Sequence, residues 1–498
     1  LATAYRPYST HFPSAGWAVQ RPSDWKIALI ELAPKLIKDA GATKSDIACM
    51  AFSGHMNGCI PVTSTGEPLR DEAMLWADTR ADSTAARFAR EIPWSSFYRR
   101  TGAGLDLYVY PAAKIRWMKD NDHELYSRAA AFLGTKDVIT AWLTGRLATD
   151  PSDASNTGLL NIVTGDWDSE LVAAFGVDRA KLPRIAPSTA VLGGLTATAA
   201  RLLGLKQGTP VVVGGGDVVC ASAGAGAVSP GIAYACLGSA SWVSVAQSKP
   251  MLDESLRVMN LCHVVPGLYS SQLISYTAGI AYQWAQERLF PSSDGATRPS
   301  FSAMDGIAGR SPAGANGVMF LPYLRAGGAP HYDTSARAAF VGLTMEAEMA
   351  DFLRAILEGV AFTLRQLVEG LESCGAARFS ELRIIGGGAQ SDLWNRIISA
   401  TLGRPVVTLT AQQEANTAGA ALVGGIAVGA LESFQETERF CHVASRIEPD
   451  PVALDVYESL FSVFREALPN LRSTNRALQT ARDGRCLRAN GEPQGGTS

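Results

Sequence analysis

The sequence predicts an α/β protein of two lobes. Three observations carry this expectation. The chain has 498 residues, enough for two domains with full cores. Short apolar strand patterns and amphipathic helix patterns follow one another along it. Two of those strands, residues 211–213 and 382–385, run directly into glycine triplets, Gly214 to Gly216 and Gly386 to Gly388. The first triplet reads as the junction of the lobes. Asp217 stands at the carboxyl end of its strand, where open α/β sheets bind ligands. Asp217 is then either a catalytic carboxylate on the lip or the cap of an ordinary helix.

Composition narrows the class. A formal net charge of −3 gives no basic surface for nucleic acid, and no apolar run reaches membrane-spanning length. The 8 cysteines and 6 histidines are scattered, without a C-x-x-C pair or zinc spacing, so neither a disulfide scaffold nor a metal cluster is expected. A reducing, cytoplasmic setting follows from the same counts.

Taken in order, residues 1–20 read as the end of a strand entering a loop. Pro22 opens a helix with Trp25, Ile27 and Ile30 on its apolar side. Residues 47–52 read as a buried strand. The segment after it places His55, Met56 and Asn57 where polar groups converge on a ligand, or else forms a plain loop. Ile60 to Val62 is a strand. Asp78 and Arg80, two apart after the apolar 74–76 run, face one polyol together or form a structural ion pair. Pro111 starts a helix on which Lys114 and Lys119 read as solvating charges. A helix over 137–144 ends at Gly145, and residues 149–157 form a polar, turn-rich loop of the kind that lines a sugar site.

Beyond the junction, a strand and tight turn at 231–242 offer backbone N–H groups at Gly238 to Ala240 as a phosphate cradle, or make a plain hairpin. Residues 277–289 are a helix and 294–314 a weakly structured stretch. Residues 346–370 are the strongest helix, with Phe352, Ile356, Val360, Leu364 and Leu367 on one side. The strand at 382–385, its glycines and the helix start at Ser391 or Asp392 form a nucleotide-type turn or a structural one. No Gly-Lys-Ser/Thr follows, so it is not a P-loop, and the dinucleotide spacing is absent. Residues 415–427 form a Gly/Ala-rich helix that packs closely on a neighbour. The arginine-rich residues 471–498 read as a loosely ordered tail.

Together these stretches resemble the FGGY family of carbohydrate kinases, nearest to its xylulokinase-like members. The resemblance rests on five ordered segments: Trp76 to Arg80, Tyr110 to Asn121, Gly214 to Asp217, Gly342 to Phe362 and Ile385 to Trp394. It implies two actin-like, ribonuclease-H-like lobes with ATP and sugar meeting in a cleft. Residues 1–228 would be the sugar-binding lobe, lacking its first strands, and residues 229–470 the nucleotide lobe. By the same resemblance Asp217 is the general base, with Met56, Asn57, Asp78 and Arg80 at the sugar. Gly238 and Ser239 meet the terminal phosphates; Gly387, Gly388 and Asp392 lie by the adenosine and α-phosphate; Thr344 sits near the nucleotide cleft. ATP and Mg²⁺ are the implied cofactors, with no metal ligands assigned, and a homodimer is compatible.

Three departures from the family pattern stand out. The Gly-Ile-Asp-x-Gly-Thr hairpin that opens family members has no match, as if the chain entered about thirty residues late and left a sheet edge unpaired. Asn57 stands where xylulokinases carry His, and Val218 where they carry Asn. Changed polar groups near a sugar swing selectivity. The resemblance therefore puts D-xylulose first among acceptors, with L-ribulose, L-fuculose, L-xylulose or a tetritol as alternatives. A non-catalytic sugar-binding actin-fold protein is the rival class.

Overall fold

The computed structural model describes residues 2–290, 297–410 and 412–489. Contacts divide the chain into two compact units. The first holds residues 1–232, 244–272 and 413–442, and the second 233–243, 273–412 and 443–498.

In the first unit, helix Pro22–Asp39 starts with Pro22 inside its first turn and Asp24 against the helix dipole. Its Trp25 enters a core with Ile60, Val62, Val138, Leu143, Leu203 and Val211. Strand Ile60–Val62 pairs antiparallel with Ala131–Leu133, and Pro210–Val212 with Val191–Gly194. The expected strand over 47–52 is reduced to a single bridge from Met50 to Val211. Regular pairing begins one step later, where Ser53–Gly54 runs parallel to Gly215–Gly216. A second core gathers Phe88, Phe97, Tyr110 and Phe175, with the rings of Phe88 and Phe175 4.6 Å apart.

Two later segments, residues 244–272 and 413–442, return to this unit. Helix Ala415–Ala427 lies backbone to backbone on helix Asp217–Gly224. A Cβ on Gly224 would stand 1.9 Å from the Ala415 carbonyl oxygen, and one on Gly419 1.9 Å from that of Cys220. The small residues read in the sequence as close-packing are used here. Residues 244–272 are held by Tyr98, whose hydroxyl donates to the Val258 carbonyl at 2.7 Å.

In the second unit, Ala233–Leu237, Leu382–Ile385 and Val406–Leu409 run parallel in that order, and Val443–Ile447 closes the edge antiparallel. Helix Met349–Ser373 buries Leu353, Ile356, Val360, Leu364 and Leu367. It starts later than the apolar pattern suggests because Glu348 and Asp351 form a reciprocal capping box. Residues 297–314 are better ordered than composition implies: Ser300 caps helix Phe301–Ala308, which buries Met304 and Ala308. Residues 294–296 lie outside the described residues. Residues 471–489 of the expected loose tail are instead the end of one long helix, Pro451–Ala489, and residues 490–498 lie outside the described residues. Arg472 Nε donates to Asp333 at 2.9 Å and Asn475 is buried, which ties its later turns down. Among the described residues no helix is long and apolar enough to cross a membrane.

Candidate active site

Asp217 opens helix Asp217–Gly224, directly after the glycine strand. Two glycines there pack closely, the first against backbone and the second against a flexible side chain. Gly214 has φ +79°, and a Cβ on it would lie 2.2 Å from the Phe52 carbonyl oxygen. One on Gly216 would lie 2.5 Å from Met56 Sδ. The Asp217 carboxylate accepts from the Val218 N–H at 2.9 Å, which fixes its plane. The residue keeps an accessible face, yet its surroundings strip most of its hydration. Burial pushes its carboxyl up to about 6, against the opposing pull of the Val218 amide. A carboxyl tuned in this way suits general base work near neutral pH.

Met56 and Asn57 join this centre through Gly216. Asn57 sits at φ +63°, a left-handed conformation that asparagine tolerates. Its side chain exchanges hydrogen bonds with Asn156: Nδ2 donates to the Asn156 carbonyl at 3.0 Å, and Asn156 Nδ2 donates to Asn57 Oδ1 at 2.7 Å. The loop is anchored from below by Lys114. That lysine is not a solvating charge as the helix pattern suggests. It is fully buried and donates to the carbonyls of Asn57 at 2.7 Å and Leu75 at 2.6 Å. Burial pulls its ammonium down to about 7. A one-turn helical pattern cannot show that the cationic side of helix Pro111–Asn121 faces inward.

Asp78 and Arg80 form a closed pair. Arg80 Nε donates to both Asp78 oxygens at 2.9 and 3.0 Å, its Nη2 donates to Oδ2 at 2.7 Å, and the Ala18 N–H donates to the same Oδ2 at 2.8 Å. Arg80 also reaches Glu72 at 3.2 Å and lies 3.5 Å from the Trp17 ring centre. Asp78 is 0% exposed. The structural ion pair, one of the two sequence alternatives, is what the chain forms here.

The expected polar loop at 149–157 is a short buried helix, Pro151–Ser155, capped by Asp150. Its Asp150 and Asp153, together with Asp137 from helix Thr135–Thr144, surround Lys136, whose Nζ lies 2.5 Å from Asp137, 2.9 Å from Asp150 and 3.0 Å from Asp153.

The second unit carries a cavity of about 790 Å³, within the range of small-ligand sites. Gly238, Ser239, Gly387, Gly388 and Asp392, all expected at the nucleotide, line it together. Gly386 turns at φ +90°, and a Cβ on Gly388 would meet Leu237 at 2.8 Å and Trp394 at 3.0 Å. Ser391 caps helix Asp392–Leu402, accepting from the Trp394 N–H at 3.1 Å. The helix therefore begins at the cavity wall, where its dipole favours an anion. The Gly238 N–H is not open for phosphate, since it donates to the Ala240 carbonyl at 3.0 Å.

Sequence reading missed the aromatic side of this cavity. Tyr282 stacks on Phe301 at 6.1 Å, and Trp394 closes the group. Tyr282 and Asp305 each bring a buried oxygen without an aligned hydrogen-bond partner to the wall, and burial together with the Asp305 carboxylate pushes the Tyr282 hydroxyl up. Phe301 and Asp305 fall in the stretch read as weakly structured, so no periodic signal pointed to them. Thr344 does not line this cavity. It is exposed in the turn after strand Ala339–Val341, where Gly342 at φ +85° leads the chain toward the capping box.

An aromatic wall, a glycine floor and a helix N-terminus fit a purine nucleotide. Among the described residues no group of three or more His, Cys, Asp or Glu is assembled to hold a metal. Mg²⁺ commonly binds through one or two carboxylates plus substrate phosphates, and Asp305 and Asp392 are the carboxylates that line this cavity.

A desolvated carboxylate on a glycine-backed helix start, with a nucleotide-sized cavity in the other unit, defines a phosphotransferase of the two-domain, actin-like α/β class. The chain belongs to the FGGY family of carbohydrate kinases: the family's N-terminal domain matches residues 1–224 and its C-terminal domain residues 233–428. It is an ATP- and Mg²⁺-dependent sugar or polyol kinase. It is 28% identical over 469 residues to the xylulose kinase of Bacillus subtilis, covering 94% of this chain and 92% of that one. It is 27% identical over 468 residues to the gluconokinase of the same organism, covering 92% and 89%. Its fold matches the ligand-bound xylulose kinase of Lactobacillus acidophilus with a TM-score of 0.86 at 26% identity, over 96% of this chain and 95% of that one.

Proposed function

We propose that the chain phosphorylates a small ketose or polyol, with D-xylulose to D-xylulose 5-phosphate as the leading reaction. The observation that carries this reading is the Asp217 carboxyl, pushed up to about 6 beside the Met56–Gly216 contact. A sugar hydroxyl is a poor nucleophile until its proton has an acceptor, and a carboxylate in hydrogen-bond reach provides one. Asp217 Oδ1 is engaged by the Val218 N–H, so Oδ2 takes the proton. Met56 and Asn57 shape the acceptor's pocket. Asp78 and Arg80 would reach sugar hydroxyls only by opening their pair, so in this reading they chiefly hold the loop. ATP, when bound, supplies the phosphoryl group, and Mg²⁺ offsets its charge. Gly387, Gly388 and the start of helix Asp392–Leu402 hold the nucleotide. Homodimerisation and a cytoplasmic setting belong to the same reading, and sedimentation of the purified protein tests the first.

The similarity to a gluconokinase as well as a xylulose kinase makes the acceptor the point to test. ADP release is measured with D-xylulose, gluconate, L-ribulose, L-fuculose, L-xylulose and a tetritol. D-xylulose should give the highest kcat/KM. A higher value for another acceptor replaces D-xylulose in this account, and no stimulation by any acceptor refutes it.

A further inference from the structure

We infer that Ser152 is a positioning residue for Asp217, held in place by the buried Lys136–Asp150 pair. The inference rests on the reading of Asp217 as the base. The Gly216 N–H donates to Ser152 Oγ at 2.9 Å. A backbone N–H can only donate, so the serine oxygen accepts there and turns its own proton elsewhere. That proton goes to Asp150 Oδ2, 2.6 Å away. Asp150 in turn also accepts from Ser188 Oγ at 2.9 Å, from the Ser152 N–H at 2.9 Å and from Lys136 Nζ at 2.9 Å. Both arms of this line thus donate into Asp150, Lys136 from one side and Gly216 through Ser152 from the other, and the second arm ends at the amide of the residue before the base.

The cluster is built for rigidity. Lys136, Asp150, Ser152 and Ser188 are all buried. Three carboxylates meet one ammonium, and burial pushes Asp153 well above the ordinary carboxylate range and Asp137 above it. The need for such an anchor lies in Gly215 and Gly216, which have no side chains to fix the strand, and whose pairing with Ser53 and Gly54 covers one edge only. Ser152 secures the Gly216 amide, and with it the direction in which Asp217 leaves the strand.

Ser152→Ala and Ser188→Ala separate positioning from stability. Both remove a donor to Asp150, but only Ser152→Ala strands the Gly216 amide. Ser152→Ala should lower kcat by about 10- to 100-fold, as a base displaced by a fraction of an ångström would. Its sugar and nucleotide KM should stay within about twofold, and its Gly216 amide should exchange hydrogen faster. Ser188→Ala should keep kcat within about twofold while losing a similar amount of unfolding stability. If Ser152→Ala does not fold, Ser152→Cys, which keeps a weak acceptor, should show an intermediate loss of kcat with unchanged KM. Normal kcat in the Ser152 variants, or equal losses in the Ser152 and Ser188 variants, overturns the inference. Asp217→Asn is assayed beside them. If it keeps turnover, the base reading itself falls; if it is inactive while Ser152→Ala is normal, only the role of Ser152 falls.

Discussion

Gly216 and Met56 occupy one shared volume: a Cβ at position 216 would come 2.5 Å from Met56 Sδ. The thioether is packed on the residue that precedes Asp217, so the sugar-side loop and the base are coupled through a side-chain contact at a glycine. Gly216→Ala should displace Met56 or tilt the start of helix Asp217–Gly224. Turnover should fall about 10- to 100-fold and unfolding free energy by about 1–3 kcal/mol. Steady-state kinetics and denaturant unfolding check both. An unchanged kcat would show that the contact is incidental.

The Asp217 carboxyl makes opposite demands on stability and activity. Its folded value, about 6, lies above the ordinary 3.8, so the native state binds this proton more tightly than the unfolded chain does. The group therefore costs nothing below pH 3.8, and its cost grows as pH rises toward about 6 and then levels off. Asp217→Asn should be more stable than the parent by about 1–3 kcal/mol at pH 8, with the difference vanishing near pH 3. Unfolding curves at the two pH values decide it. The parent's kcat/KM should fall with one proton as pH drops through about 6.

Lys114 supports the Asn57 loop with two hydrogen bonds from a buried ammonium. Lys114→Met leaves the carbonyls of Asn57 and Leu75 without that donor. It should destabilise the protein by about 2–4 kcal/mol. Sugar KM should rise while the nucleotide dissociation constant stays unchanged, as calorimetry with ADP would show.

The nucleotide cavity has its own handle. A side chain at Gly388 would press on Leu237 and Trp394 at 2.8 and 3.0 Å. Gly388→Val should weaken ADP binding about 10-fold or more. Sugar binding, measured without nucleotide, should be untouched.

Much of this architecture was legible in the residues. The helix Ala415–Ala427 appears with the bounds its composition suggests, and the glycine triplets mark tight backbone turns on both units. What escaped was whatever depends on partners distant in sequence. Lys114 reads as a surface charge until its side chain meets two carbonyls from other segments. Asp150 and Ser152 read as a polar loop because nothing local announces Lys136. Phe301 and Asp305 sit on an eight-residue helix too short for a clear period. The long helix Pro451–Ala489 is polar enough to pass for a tail, since few of its described residues past Arg472 are buried.

The central claim is that Asp217 takes the acceptor's proton. Asp217→Asn, assayed for ADP release with the preferred acceptor and for acceptor binding by calorimetry, tests it most directly. Acceptor affinity should stay within a few-fold of the parent, and turnover should fall by about 10²- to 10⁴-fold. Turnover near the parental level, with the acceptor bound normally, would contradict it.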